Sequence, residues 1–124
     1  MMTEKRLGRQ TLKLSTPPSM ISNTSIVGPK EGEGPLAQYF GQILTDDYFG
    51  EDSWEKAESK MLTEVVKNAI KASGMSNTNI DFMFAGDLLN QIVSSSFAAR
   101  ELQIPYIGLY GACSTMTESL CMGS

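Results

Sequence analysis

Cys113, in the run Gly111-Ala112-Cys113-Ser114-Thr115, is the residue of this sequence best suited to nucleophilic chemistry. It follows a strand-like segment and precedes Thr117-Glu118-Ser119, where a helix is expected to begin. A thiol in that position lies near free amide hydrogens and the positive end of a helix macrodipole, surroundings that turn thiols into nucleophiles. Gly111 and Ala112 leave room for a ligand or a second backbone. A cysteine is also a small core residue, and spacing alone leaves both readings open. Asp87 stands just beyond another strand-like run. Its carboxylate could serve a ligand, or it could cap the following helix by accepting amide hydrogens. Asn90 and Gln91, one turn on, offer polar groups to the same place or simply face solvent. Cys121, further along the expected helix, reads as a core residue.

Other chemistries find no support. The sequence has no histidine and two cysteines, so no zinc-ligand set can be assembled and no metal site or cofactor is expected. Cys113 and Cys121 lie in one turn-plus-helix segment, which makes a disulfide between them doubtful. Five acidic residues (Asp46, Asp47, Glu51, Asp52 and Glu55) gather with no basic one among them. Tyr48 and Gly50 fall where a calcium loop carries oxygen ligands, so this stretch reads as a solvated loop near the positive end of the next helix. Ten basic against fourteen acidic residues give a net charge of −4, which argues against nucleic acid as a partner. Lys5, Arg6, Arg9 and Lys13 crowd the start, either as a solvated tail or as a patch for an anionic membrane surface. No apolar run approaches the ~20 residues of a membrane span, and no signal-peptide h-region follows the basic start, so a cytoplasmic protein is expected.

Two elements must position Asp87 and Cys113. Ile80 to Ala85 is compact, apolar and aromatic, as a buried strand is, and Tyr106 to Tyr110 after Pro105 reads the same way. Between them Asp87 opens a helix-like stretch with Leu88, Ile92, Ala99 and Leu102 on one side. Strand, helix and strand within about thirty residues make a βαβ unit, for which parallel pairing and a right-handed crossover are expected. Both strands then deliver their carboxyl ends to one sheet edge, where ligands of open parallel sheets bind. Upstream, Trp54, Ala57, Met61, Val65 and Ala69, flanked by Leu62, Val66 and Ile70, form a broad helical stripe in which Trp54 and the methionines read as core. Asp52 or Ser53 caps its start, and Gly74 ends it. A short helix is expected over about 35 to 44, opened by Pro35. Residues 1–34 read as an irregular segment with short strands at Thr11–Ser15 and Ser25–Val27, and residues 35–124 as an α/β domain.

Three blocks occur in order: Gly28-Pro29-Lys30-Glu31 continuing to Gly34-Pro35-Leu36, then Ala85-Gly86-Asp87-Leu88-Leu89-Asn90-Gln91, then Gly111-Ala112-Cys113-Ser114-Thr115 with Glu118-Ser119. Together they resemble the N-terminal motifs of the stage V sporulation protein AD family, within the thiolase-like superfamily. The resemblance implies a partial thiolase-like α/β fold, its N-terminal half, with a mostly parallel sheet containing the βαβ unit and helices packed on it. It implies a non-enzymatic protein that binds dipicolinic acid, with or without calcium, and supports its uptake into the developing spore alongside membrane proteins of the same transport assembly. Asp87 and Cys113 are the ligand-binding positions it carries over, and the place it implies is peripheral, at the forespore or spore inner membrane. A homodimer follows by analogy with the fold. The alternative is a thiolase or ketoacyl-synthase type condensing enzyme with Cys113 as acyl acceptor. That chemistry also needs a general base, and a sequence without histidine lacks the usual one. The resemblance further implies that the fold is incomplete within 124 residues, leaving apolar surface uncovered.

Overall fold

A computed structural model describes residues 6–124, so Lys5 of the basic cluster lies outside the described residues. The elements run β1 (Arg6–Leu7), β2 (Thr11–Leu12), β3 (Ile26–Val27), α1 (Pro29–Gly32), β4 (Gln42–Ile43), α2 (Trp54–Ser73), β5 (Met83–Ala85), α3 (Val93–Leu102), β6 (Tyr106–Gly108) and α4 (Thr115–Met122). The chain is mixed α/β, consistent with a partial α/β fold. The described strands form three pairs: β1 with β2 antiparallel, β3 with β4 parallel, and β5 with β6 parallel. In the last pair Met83 faces Tyr106, Phe84 faces Ile107 and Ala85 faces Gly108, which gives the parallel strand, helix, strand unit that the apolar runs imply.

Helix α2 has local reasons at both ends. The Ser53 side chain accepts the Lys56 amide at 3.3 Å, and Gly74 adopts φ 73°, the left-handed conformation that closes a helix without a Cβ penalty. Its partner α3 presents small residues: Ser94, Ser95, Ala98 and Ala99 are all buried, so the two helices approach closely. The core lies where α2, α3 and the β5–β6 pair meet. Met83, Ala99, Leu102 and Ile104 form its centre, with Val66 and Ile70 of α2 packed against them. Polar ties reinforce the contact. Ser94 Oγ donates to the Glu55 carbonyl at 3.3 Å, and Asn77 Nδ2 to the Leu102 carbonyl at 2.9 Å, satisfying an otherwise free acceptor at the end of α3.

Four sequence expectations need correction. Residues 35–44 are a 3₁₀ turn at Ala37–Tyr39 followed by β4, because Gln42 and Leu44 donate to the Ser25 and Val27 carbonyls and strand pairing outweighs the local period. The proline signal for a helix start holds one motif earlier, at Pro29 of α1. Trp54 is 49% exposed, being the first residue of α2 and stacked on Tyr48 with ring centroids 4.5 Å apart. Helix α3 starts at Val93, because Gln91 (φ 51°) and Ile92 (φ 70°) are left-handed and break the run from Asp87. Cys121 is exposed on α4, whose main packing partner among the strands is β5. Met116, Leu120 and Met122 of α4 are exposed with it, and Arg6, Arg9 and Lys13 are solvated.

Candidate functional site

Strand β5 stops at Ala85, and Gly86 passes directly under the Leu109 carbonyl beyond β6. A Cβ at Gly86 would collide with that carbonyl oxygen and with Thr115 Cγ2, so only glycine fits. The close passage brings the two strand ends together, and the residues following each of them line one cavity of about 510 Å³. Asp87 and Ala85 contribute from the β5 side, Ala112, Cys113, Thr115 and Met116 from the β6 side. Asp87 and Cys113 thus share one rim at the carboxyl edge of the parallel pair.

Asp87 is only 6% exposed. Its Oδ1 accepts the Ser95 backbone amide at 2.8 Å and the Ser95 hydroxyl at 2.6 Å. The residue before α3, Ile92, is left-handed and makes no side-chain cap, so Asp87 supplies the cap from a distance. The Ser95 hydroxyl in turn lies 2.6 Å from the Tyr106 hydroxyl on β6, which reaches the Ala85 carbonyl at 3.3 Å. Loop, helix and strand are joined through one carboxylate oxygen. The other, Oδ2, is buried with no hydrogen-bond partner among the described residues. An orphaned buried polar oxygen costs free energy comparable to a lost hydrogen bond, about 1–3 kcal/mol, and marks where a ligand group could bind.

Cys113 lies exposed in the 3₁₀ turn Ala112–Ser114 that leads into α4. That turn is held by its hydroxyls: Thr115 Oγ1 accepts the Gly111 amide at 3.2 Å and donates to the Ala112 carbonyl at 2.9 Å. Ser114 Oγ sits 2.7 Å from the Gly111 carbonyl and 2.9 Å from Glu118. Ala112 is left-handed at φ 50°, a conformation costly for a residue with a Cβ, and the thiol is presented on this constrained turn. Asn90 is not part of the group; it lines a separate groove between α2 and α3.

Glu58 of α2 is a further cavity-lining carboxylate, and its place in the sequence carries a signal. It lies four residues after Trp54 and three before Met61, on the apolar stripe, where a carboxylate is out of place. It lines the same cavity as Asp87 and Cys113, and its Oε2 is also buried and unpartnered among the described residues. An adjoining apolar cleft of about 650 Å³ is bounded by Trp54, Met61, Leu62 and Val65 and shares Glu58, Gly86, Asp87 and Leu88. Among the described residues no lysine or arginine lines either cavity.

The family model for stage V sporulation protein AD (SpoVAD) matches residues 8–124. The stage V sporulation protein AD of Bacillus subtilis (strain 168) is 36% identical over 120 residues, 97% of this chain and 36% of the relative. The chain therefore spans about a third of the length of the curated relative it matches. The match runs through all three sequence blocks, including both sides of the shared rim, and the chain belongs to the stage V sporulation protein AD family.

Proposed function

We propose that this chain carries part of the dipicolinic acid site of a non-enzymatic sporulation protein that supports uptake of the compound into the developing spore. The observation that carries the reading is the shared rim: Asp87 and Cys113 line one cavity at the carboxyl edge of a parallel strand pair, where ligands of such sheets bind. The apolar cleft beside it, walled by Met61, Leu62 and Val65, suits the face of a flat aromatic ring. Among the described residues no helix is long and apolar enough to cross a membrane. Uptake through a bilayer accordingly calls for membrane partners, with this protein peripheral at the forespore or spore inner membrane. A homodimer, and calcium accompanying the ligand, belong to the same reading.

Calorimetric titration with dipicolinate tests it. Saturable heat is expected, reduced at least tenfold in apparent affinity by Asp87→Ala or Cys113→Ala. No heat from this chain, and none from a protein of the relative's full length, removes the reading.

The exposed thiol favours a second reading, a condensing enzyme that loads an acyl group on Cys113. Its difficulty is the proton. Acyl transfer needs a general base in reach of the sulfur, and among the described residues the cavity offers only the carboxylates of Glu58 and Asp87. Incubation with an acyl thioester followed by mass spectrometry decides: an adduct on Cys113 supports this reading, and an unmodified thiol dismisses it.

A further inference from the structure

We infer that the β1–β2 hairpin, with the leucines on and beside it, is a docking element for the surface of an anionic lipid bilayer. This goes beyond the dipicolinate reading and depends on no ligand, because it names the part of the chain that meets lipid. The first observation is charge. Between Glu4 and Glu31 the sequence holds five basic residues, Lys5, Arg6, Arg9, Lys13 and Lys30, and no acidic one. Residues 31–124 hold thirteen acidic residues against five basic ones. A negative surface turns a body charged in this way until its basic segment faces the lipid.

The second observation is exposure. Every residue from Arg6 to Ile21 is exposed, and among them Leu7, Leu12, Leu14, Met20 and Ile21 are large and apolar, Leu12 and Met20 at 74%. Single exposed leucines are ordinary. A two-stranded hairpin standing alone, however, is marginal in water and gains from a surface that covers it, and apolar side chains gathered on it mark an interaction site. The third observation chooses the surface. Arg6 pairs with Leu12 and Leu7 with Thr11, so the alternation of a strand puts Leu12 beside Arg6 on one face and Leu7 on the other. A protein partner covers one face of such a ribbon. The headgroup zone of a bilayer takes leucines from both faces while the basic side chains stay at the phosphates. The arm is tied to the body just past this run, where Ser22 Oγ donates to the Ala69 carbonyl of α2 at 2.8 Å. Docking of the hairpin therefore holds α2 at the membrane with it.

The experiment is co-sedimentation of the chain with vesicles of equal parts phosphatidylglycerol and phosphatidylcholine, and with vesicles of phosphatidylcholine alone. Binding is expected to the first and not to the second, and it should weaken as added salt shortens the reach of surface charge. Replacing Arg6→Gln, Arg9→Gln and Lys13→Gln together should weaken binding about a hundredfold, about fivefold for each basic residue. Leu7→Ser with Leu12→Ser should weaken it about tenfold and keep the salt dependence. Arg100→Gln, which removes an exposed cation from α3, should leave it unchanged. All the replaced side chains are exposed, so the body keeps its fold. Equal binding to the two kinds of vesicle, binding that survives the triple change, or a loss in Arg100→Gln as large as that of Arg9→Gln alone overturns the inference. Binding untouched by the leucine changes overturns it too, because charge alone then accounts for the contact. Self-association in sedimentation velocity that the triple change abolishes, with no vesicle binding, gives the hairpin to a second copy of the chain instead. Calorimetry of dipicolinate is independent of all these outcomes, so the inference and that reading fail separately.

Discussion

Two parallel strand pairs lie among the described residues, and they are not equals. In β3–β4 the strands are two residues long, Gln42 and Ile43 are exposed, and the connection between them is the one-turn α1 and a 3₁₀ turn, with Leu44 as the buried residue at the end. In β5–β6 the connection contains the full helix α3, which lays Ala99 and Leu102 against Met83 and draws α2 in behind. A parallel pair has slanted, slightly weaker hydrogen bonds than an antiparallel one, so it depends on what covers its faces. The covered pair is the one that carries the cavity. A site that must hold two side chains from different strands in register needs the stiffer support.

The largest expected contrast comes from truncating each pair's apolar contact. Leu102→Ala should cost about 2–5 kcal/mol in urea unfolding, and Ile43→Ala, already 40% exposed, about 1 kcal/mol. Equal losses would break the distinction between the pairs. Next is Gly86→Ala, which forces the β5 strand end away from the Leu109 carbonyl and should cost about 1–3 kcal/mol; an unchanged unfolding midpoint would mean the strand ends need not approach so closely. Removing the α2 cap with Ser53→Ala should cost about 1 kcal/mol, read from the same unfolding curves, and a larger loss would show that α2 leans on its end more than on its packing. The smallest effect is electrostatic. The Lys56 ammonium, 2.7 Å from Asp52, holds that carboxyl below its ordinary range, and Asp52 raises Lys56 in return. The Asp52 contribution is therefore present above the ordinary carboxylate range and lost as pH falls through the lowered value; the Lys56 contribution is lost as pH rises through its raised one. Both groups are solvated, so thermal melts of Asp52→Asn and the unaltered chain should differ only slightly at neutral pH and converge in acid.

Much of the covered unit was legible because its signals are local and mutually consistent. Asp52 or Ser53, the apolar stripe and Gly74 mark both ends of α2 to within a residue, and the two apolar runs contain the shorter strands β5 and β6 and hence put Asp87 and Cys113 at one edge. The misread parts depend on distant partners. Nothing within residues 35–44 announces that Gln42 and Ile43 will pair with Ile26 and Val27, and Ile92 gives no sign of adopting a left-handed φ. Ser95, whose amide and hydroxyl hold Asp87, and Tyr106 are ordinary residues in sequence, and their hydroxyls become a network only when the strand pair brings them within 2.6 Å. Glu58 was readable as a carboxylate set between Trp54 and Met61 on the apolar stripe of α2.

The bond from the Ser95 amide to Asp87 turns one backbone hydrogen into a gauge of the cavity. Deuterium replaces that hydrogen only when the carboxylate lets go and the first turn of α3 loosens, so its exchange rate follows the state of Asp87 at a point that no ligand has to touch. Occupancy can then be followed with neither a label nor a chromophore.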